Sequence, residues 1–306
     1  MHSRPPQRRR LGIVLAVAAA LTAACGSDSP DGAASADAAA AVPADAPQRI
    51  VSLSPTHTEM LFAIGAGEQL VAVDEFSDYP AEALELPNEL SGFEPNVEAI
   101  AAYEPDLVVI GGDFTGLGDQ LATIDIDSWD GPAAVTIEDT YKQLEQLGAV
   151  TGHEEDAAAI VSDMKTQIAE IVADAPETDR PLTFYHELDD TLYSADSTTF
   201  IGDVYGMLGL QNIADRIEGD HFGFPQLNAE FLVSADPDLI FLADTKCCGV
   251  TAETVAGRPG WDTIAAVRNG HVIPMDDDVA SRWGPRIVDY LAAVAAAVGQ
   301  AAATAT

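Results

Sequence analysis

The chain has 306 residues, 50 of them acidic and 14 basic, a formal net charge of −36 at neutral pH. That sign excludes a nucleic-acid partner, which needs a basic footprint over the phosphates. With 47% apolar residues, the length is enough to bury two sizeable cores.

The first 24 residues read as a signal peptide. Arg4, Arg8, Arg9 and Arg10 form a basic n-region, and Leu11 to Leu21 is an apolar segment too short to span a bilayer. Leu21-Thr-Ala-Ala-Cys25-Gly has the pattern of a bacterial lipobox, so Cys25 is expected to carry lipid. A plain secretory signal cut near Ala24 is the other reading. Residues 25–47, mostly Ala, Ser, Asp, Gly and Pro, read as a disordered tether behind that anchor. Removal of the leader leaves ten basic residues against 50 acidic ones, a net of −40. General surface acidity accounts for this without a specific cationic ligand.

Residues 48–150 alternate apolar runs with helical stretches. The runs are Arg49–Ser54, Leu70–Asp74, Leu107–Gly111 and Ala133–Ile137. The helices are Thr58–Ile64, Val97–Tyr103 and Asp119–Ile124. Such alternation predicts a parallel sheet covered on both faces. From Thr151 to Pro176, Ala157, Ile160, Val161, Met164, Ile168, Ile171 and Val172 recur at the period of a helix with one buried stripe. Thr151 and Glu154 fit a capping box, and Pro176 supplies a stop. Residues 177–306 repeat the α/β scheme. Strands are expected at Leu182–His186, Leu239–Leu242 and His271–Met275, and helices at Phe200–Leu208, Trp261–Val267 and Val288–Val298.

The halves share a local pattern. Glu98 opens a short helix that leads to Glu104-Pro-Asp-Leu107. Glu230 does the same ahead of Asp236-Pro-Asp-Leu239. Such self-similarity predicts a duplicated lobe. The fold class is therefore α/β: two parallel-sheet lobes joined by a single long backbone helix, with a ligand cleft between them.

In open parallel sheets ligands sit beyond the carboxyl ends of the strands. That rule sends Ser54–His57, Glu75–Tyr79, Gly112–Phe114, His186-Glu187 and Asp276–Asp278 to the cleft. The chain lacks GxSxG, HExxH, P-loop and paired-cysteine zinc spacings, so no enzyme class is indicated. His57 and His186, with Glu187 or Asp278, offer a metal site as one reading. The other reading is a hydrogen-bonded helix-start histidine and a pocket wall, and no resident metal or cofactor is expected. The adjacent Cys247 and Cys248 are open to three readings: a vicinal ring disulfide, two thiols or a metal ligand. The ring is favoured.

Arg49-Ile-Val-Ser-Leu-Ser-Pro-Thr-His-Thr-Glu-Met, Phe76-Ser-Asp-Tyr-Pro80, Asn96-Val-Glu98 and Glu104-Pro-Asp-Leu107 resemble the periplasmic-binding family of iron-siderophore and cobalamin importers. So do Ser197–Gly202, Leu208–Ile213, Phe224-Pro-Gln226 and Gly284-Pro-Arg-Ile287. The resemblance covers nearly all of residues 48–299. It implies a monomeric, extracytoplasmic, non-catalytic binding protein, held at the outer face of the cytoplasmic membrane through its lipid alone. Its partners would be an ABC permease dimer with ATPase subunits. Glu98 and Glu230 match the positions at which one carboxylate per lobe docks on the permease. Tyr79, Phe93, Tyr193 and Phe224 match the aromatic positions that flank a corrin in the cobalamin-binding branch, and Asp278 matches a polar contact. Arg282 and Trp283 flank Ser281, which stands where that branch has an acid, and His186 is kept as pocket wall. The ligand implied is a metal chelate, cobalt- or iron-bearing: a corrinoid first, with a ferric siderophore as the other choice. The alternatives are haem, with His57, His186, Tyr79 or Tyr193 as axial ligand, a bare metal ion, and a tetrapyrrole chelatase-like enzyme.

Overall fold

The computed structural model describes residues 43–304. The expected signal peptide, Cys25 and tether residues 25–42 lie outside the described residues. Residues 43–47, assigned above to the tether, are held against the first lobe. Pro43 and Ala46 close a turn, and the Gln69 amide donates to the Pro47 carbonyl at 2.6 Å.

Two four-stranded parallel sheets form the frame. The first contains β1 (Ile50–Leu53), β2 (Leu70–Val73), β3 (Leu107–Ile110) and β4 (Asp127–Asp130), in the order β2-β1-β3-β4. The second contains β5 (Thr183–Glu187), β6 (Gln211–Asn212), β7 (Leu239–Leu242) and β8 (Val272–Pro274), in the order β6-β5-β7-β8. The two orders are the same permutation. Helices α1 (Pro55–Ala63), α2 (Val97–Ala101) and α3 (Leu117–Ala122) belong to the first lobe. The second carries α6 (Phe200–Met207), α7 (Ala229–Ala235), α8 (Thr245–Cys248), α9 (Ala252–Ala256), α10 (Ala265–Asn269), α11 (Asp277–Ser281) and α12 (Ile287–Thr304). Between the sheets run α4 (Ile137–Thr151) and α5 (Glu154–Asp174).

The period-2 alternation of the strands divides the core. Val51, Leu53, Val108 and Ile110 face Ile100, Leu117 and Leu121. Ile50, Leu107 and Val109 face a larger cluster that takes in Met60, Leu144, Leu147 and Val161. That cluster continues to Phe184, Tyr205, Tyr290 and Leu291 in the second lobe. At 21 residues α5 spans about 32 Å. Its first turns bury Ala157, Val161 and Met164, and its far end lies against α12. Of the described helices, α12 alone is long and apolar enough to cross a membrane by length and composition, yet Leu291, Val294 and Val298 belong to the core.

Three local expectations are corrected. The fourth strand is Asp127–Asp130, not Ala133–Ile137, where Thr136 opens α4 instead and its amide donates to Asp139 at 3.0 Å. The capping box at Thr151 and Glu154 does not form. Thr151 is the last residue of α4, Gly152 ends that helix in the left-handed region at φ 81°, and His153 stands at the N-cap position of α5 with no side-chain cap. The two-residue β6 has no counterpart among the expected strands.

The repeat extends to backbone detail. Asn96 caps α2 by accepting from the amide of Ala99 at 2.9 Å, and Asn228 caps α7 by accepting from that of Phe231 at 2.9 Å. Each helix is followed by a non-glycine residue in the left-handed region, Glu104 at φ 49° and Asp236 at φ 47°. The Asp after the proline then anchors the central strand of its lobe. Asp106 accepts from the amides of Gln48 and Arg49 at 2.9 Å, and Asp238 accepts from Thr183 at 2.8 Å.

Cys247 and Cys248 are joined to each other within α8. The backbone amides of Thr245, Lys246 and Cys247 converge on the Asp277 carboxylate at 2.8–2.9 Å, which fixes α8 to α11. Beneath α8 lies a buried acid pair. Glu187 is paired with Arg258 through two bonds of 2.6 Å, whereas both carboxylate oxygens of buried Asp244 lack a protein partner. Burial and then the charge of Glu187 push Asp244 up to about 7. The folded protein therefore retains a proton that the unfolded chain releases. This contribution is fully present below about pH 4 and is lost as pH rises through 7. Thermal melts of Asp244→Asn should show the variant gaining at least about 1.4 kcal/mol on the wild type between pH 5 and pH 8. An equal offset at both pH values would show that Asp244 is not the protonated partner.

Candidate ligand-binding cleft

The carboxyl ends of β1, β2 and β3 open into a cavity of about 610 Å³ that faces α11. Ser54, Asp74 and Gly111 follow those strands and form its floor. Gly111 is required there, since a Cβ would fall 2.7 Å from the Ser54 hydroxyl oxygen. Phe76, Phe93 and Phe114 form the first-lobe wall, and Phe76 and Phe93 meet edge to face at 5.8 Å. Phe93 and Phe114 are 79% and 94% exposed, unusual for side chains whose burial elsewhere stabilises the fold. Asp278, Ser281, Arg282 and Trp283 close the second-lobe side.

Polar groups around the cavity are already engaged. Arg282 is 9% exposed and donates to Glu59 at 2.8 Å, Asp78 at 2.9 Å, Asp278 at 2.9 Å and the Phe76 carbonyl at 3.1 Å. Lys246 reaches Asp278 at 2.6 Å. Asp74 is buried and accepts from the Ser77 hydroxyl, and its burial raises its carboxyl above the ordinary carboxylate range.

The expected site residues divide into groups. Phe93, Asp278, Arg282 and Trp283 line the one cavity. Tyr193 and Phe224 stand on a ribbon beyond β5, where the Ser194 amide donates to Pro225 O at 3.0 Å and Tyr193 bridges to Gln226. They do not line the cavity. Tyr79 lies elsewhere: its ring is covered by the Arg286 guanidinium at 4.0 Å and walls a separate cavity beside α1, α5 and α12. Arg282, expected as a ligand contact, lines the cavity with both terminal nitrogens bound to protein oxygens.

Neither histidine takes the metal or haem reading, and His57 takes the hydrogen-bonded helix-start reading. His186 is fully buried with Nδ1 at 2.9 Å from the Tyr205 hydroxyl, and burial lowers it to about 3. The strand alternation sends Phe184 and His186 to the face covered by α6 and α12, away from the cleft. His57 is also fully buried and lowered to about 4 by burial. Its Nδ1 lies 2.8 Å from Ser54 Oγ and its Nε2 lies 2.9 Å from Gln143 Oε1. Gln143 Oε1 also accepts from Trp283 Nε1 at 2.9 Å, and the Gln143 amide donates to Pro132 O. An oxygen only accepts, so His57 carries a proton on Nε2, and its burial-lowered pKa leaves Nδ1 free to accept from the Ser54 hydroxyl. With both nitrogens used it is neither a metal nor a haem ligand. Among the described residues no group of three or more His, Cys, Asp or Glu is placed to hold a metal ion.

Phe76, Phe114, Glu59 and Arg286 were not singled out by the sequence. The two phenylalanines fall in stretches that the strand-end rule places at the cleft, but residue type alone does not separate a cleft Phe from a core Phe. A signal for Glu59 was present: a carboxylate inside the apolar helix Pro-Thr-His-Thr-Glu-Met-Leu-Phe.

The family model described as periplasmic binding protein matches residues 50–279. The chain is 31% identical over 251 residues to the vitamin B12-binding protein of Pectobacterium atrosepticum, covering 79% of this chain and 85% of that protein. It is 30% identical over 251 residues to an uncharacterized ABC transporter substrate-binding lipoprotein, YvrC, of Bacillus subtilis, covering 79% and 77%. The apo periplasmic heme-binding protein RhuT from Roseiflexus sp. RS-1 shares the fold, with a TM-score of 0.74 over 83% of this chain and 99% of that one at 23% identity. The chain belongs to the periplasmic binding protein family, whose members are substrate-binding proteins and not enzymes.

Proposed function

We propose that this chain is an extracytoplasmic binding lipoprotein, anchored through Cys25, that captures a bulky metal chelate and delivers it to an ABC importer. The ligand favoured is a corrinoid. The carrying observation is the cleft itself: three phenylalanine faces on one wall, and on the other an arginine whose charge is spent on Glu59, Asp78 and Asp278. Such a surface suits a large, uncharged ligand held by stacking and shape, and is poorly matched to a siderophore with several negative charges. The 31% identity to a vitamin B12-binding protein supports the same choice.

Calorimetric titration of the protein with cyanocobalamin, a ferric hydroxamate and haemin tests it. One-to-one binding of cyanocobalamin at micromolar or tighter affinity is expected. Binding of haemin or the hydroxamate alone would keep the carrier role and remove the corrinoid, and binding of none would overturn the reading.

Phe93 on the cavity wall and Phe224 on the second-lobe ribbon outside that cavity are proposed as ligand contacts from opposite lobes of the wider cleft. Either Phe93→Ala or Phe224→Ala should weaken cyanocobalamin binding by about 1 kcal/mol, the scale of a lost aromatic contact. An unchanged affinity takes that residue out of the site.

Glu98 and Glu230 are proposed as the permease-docking pair. Each is exposed in the first turn of a helix capped by an Asn two residues earlier, and each helix precedes the equivalent strand of its lobe. Two equivalent carboxylates suit a two-fold symmetric membrane partner. In Glu98→Ala/Glu230→Ala, ligand affinity should be unchanged while uptake by cells is lost; normal uptake would remove the assignment.

A further inference from the structure

Glu59 is 3% exposed in the middle of α1, a first-lobe helix, and its cations come from the second lobe. Arg282 donates to Glu59 Oε1 at 2.8 Å, and Arg286 donates through Nε to Oε2 at 2.9 Å and through a second nitrogen to Oε1. The remaining bonds of Arg282 hold Asp78 and the carbonyl of Phe76, so one guanidinium secures the segment that carries the Phe76 ring. That ring braces Phe93. Arg282 thus joins α1, the 76–78 segment and α11 at one point, and neither terminal nitrogen faces the cavity unpaired.

We propose that Arg282 is a positioning residue, which clasps Glu59 across the lobes and fixes the Phe76–Phe93 wall, and so governs ligand affinity without touching the ligand. The proposal rests on the ligand-binding function proposed above. A guanidinium can meet several acceptors in fixed directions, whereas an ammonium is a compact point charge on a flexible stem. Arg282→Lys therefore keeps the charge and loses the clasp.

The test compares the wild type with Arg282→Lys and Asp78→Asn, each titrated with cyanocobalamin, which is neutral overall, and with haemin, which carries two propionates. Asp78 is half exposed, so Asp78→Asn leaves the buried Glu59 pairs intact and guards against a variant that fails to fold. Both variants should weaken every probe that the wild type binds by a similar factor, roughly tenfold for Arg282→Lys. Retained affinity in Arg282→Lys, or in Arg282→Gln a loss confined to haemin, would overturn the proposal, because it marks Arg282 as a charge offered to the ligand. Hydrogen exchange at residues 76–78 provides a readout that needs no ligand. Protection should fall in Arg282→Lys, and unchanged exchange would overturn the clasp even if the wild type bound none of the probes. Failure of the wild type to bind either probe counts against the proposed function and leaves the exchange result to decide the clasp.

Discussion

A buried carboxylate at Glu59 sets the terms for the rest of the structure. Removing such a group from water costs several kcal/mol unless cations and donors meet it. Helix α1 supplies none, so the charge is met by Arg282 and Arg286 from the other lobe. The relative placement of the lobes is therefore fixed by an electrostatic demand as well as by the shared core that runs from Met60 to Tyr290. Cations are scarce in this chain. Of the ten basic residues beyond the leader, Lys142, Arg180, Lys246, Arg258, Arg282 and Arg286 all sit in salt bridges with the protein's own acids. Two of the ten converge on a single glutamate, which leaves little positive charge to offer an anionic ligand.

The duplicated lobe explains why equivalent features recur at distant positions. Asn96 and Asn228, Glu104 and Asp236, and Asp106 and Asp238 hold the same places in the two halves, and the strand orders agree. Where the halves diverge, their chemistry diverges as well. The first lobe ends β1 with Ser54-Pro55 and turns at once into α1, which leaves an open floor flanked by phenylalanines. The second lobe ends β5 with the buried Glu187–Arg258 pair beside Asp244, and displaces its aromatic residues onto the ribbon at Tyr193 and Phe224. One lobe offers a surface at its strand ends and the other a sealed polar core.

Most strands and helices were legible because apolar periodicity reports burial, and burial organises these lobes. The failures have local causes. β4 is an edge strand of sequence Asp-Ser-Trp-Asp, largely exposed, so it lacks the apolar run by which an interior strand is recognised. The nearby run Ala133–Ile137 is apolar but is diverted by the Thr136–Asp139 cap into a helix. The Thr151–Glu154 spacing fits a capping box, yet Gly152 between them was the stronger signal, for glycine adopts the left-handed turn that ends α4. For the site, the strand-end rule identified the correct segments but not the direction of each side chain. It sent Asp278 to the cavity lining, where the resemblance also placed Arg282 and Trp283, and misplaced His186, whose alternation within β5 turns it into the core.

The same distinction separates residues that line the cleft from residues that act there. Arg282 lines the cavity, and by residue type it is the natural cation for a negatively charged chelate. Its four bonds to protein oxygens reverse that inference, because a guanidinium held by three carboxylates and a carbonyl offers the ligand little net charge. With Asp113 also on the lining, the local field does not favour anions at short range, and the acidic surface opposes them at long range. What remains attractive is apolar area on exposed aromatic rings that the fold leaves uncovered. Under the proposed function, selection in this cleft is therefore a matter of shape and stacking, and the charged residues serve chiefly to keep the rings in place.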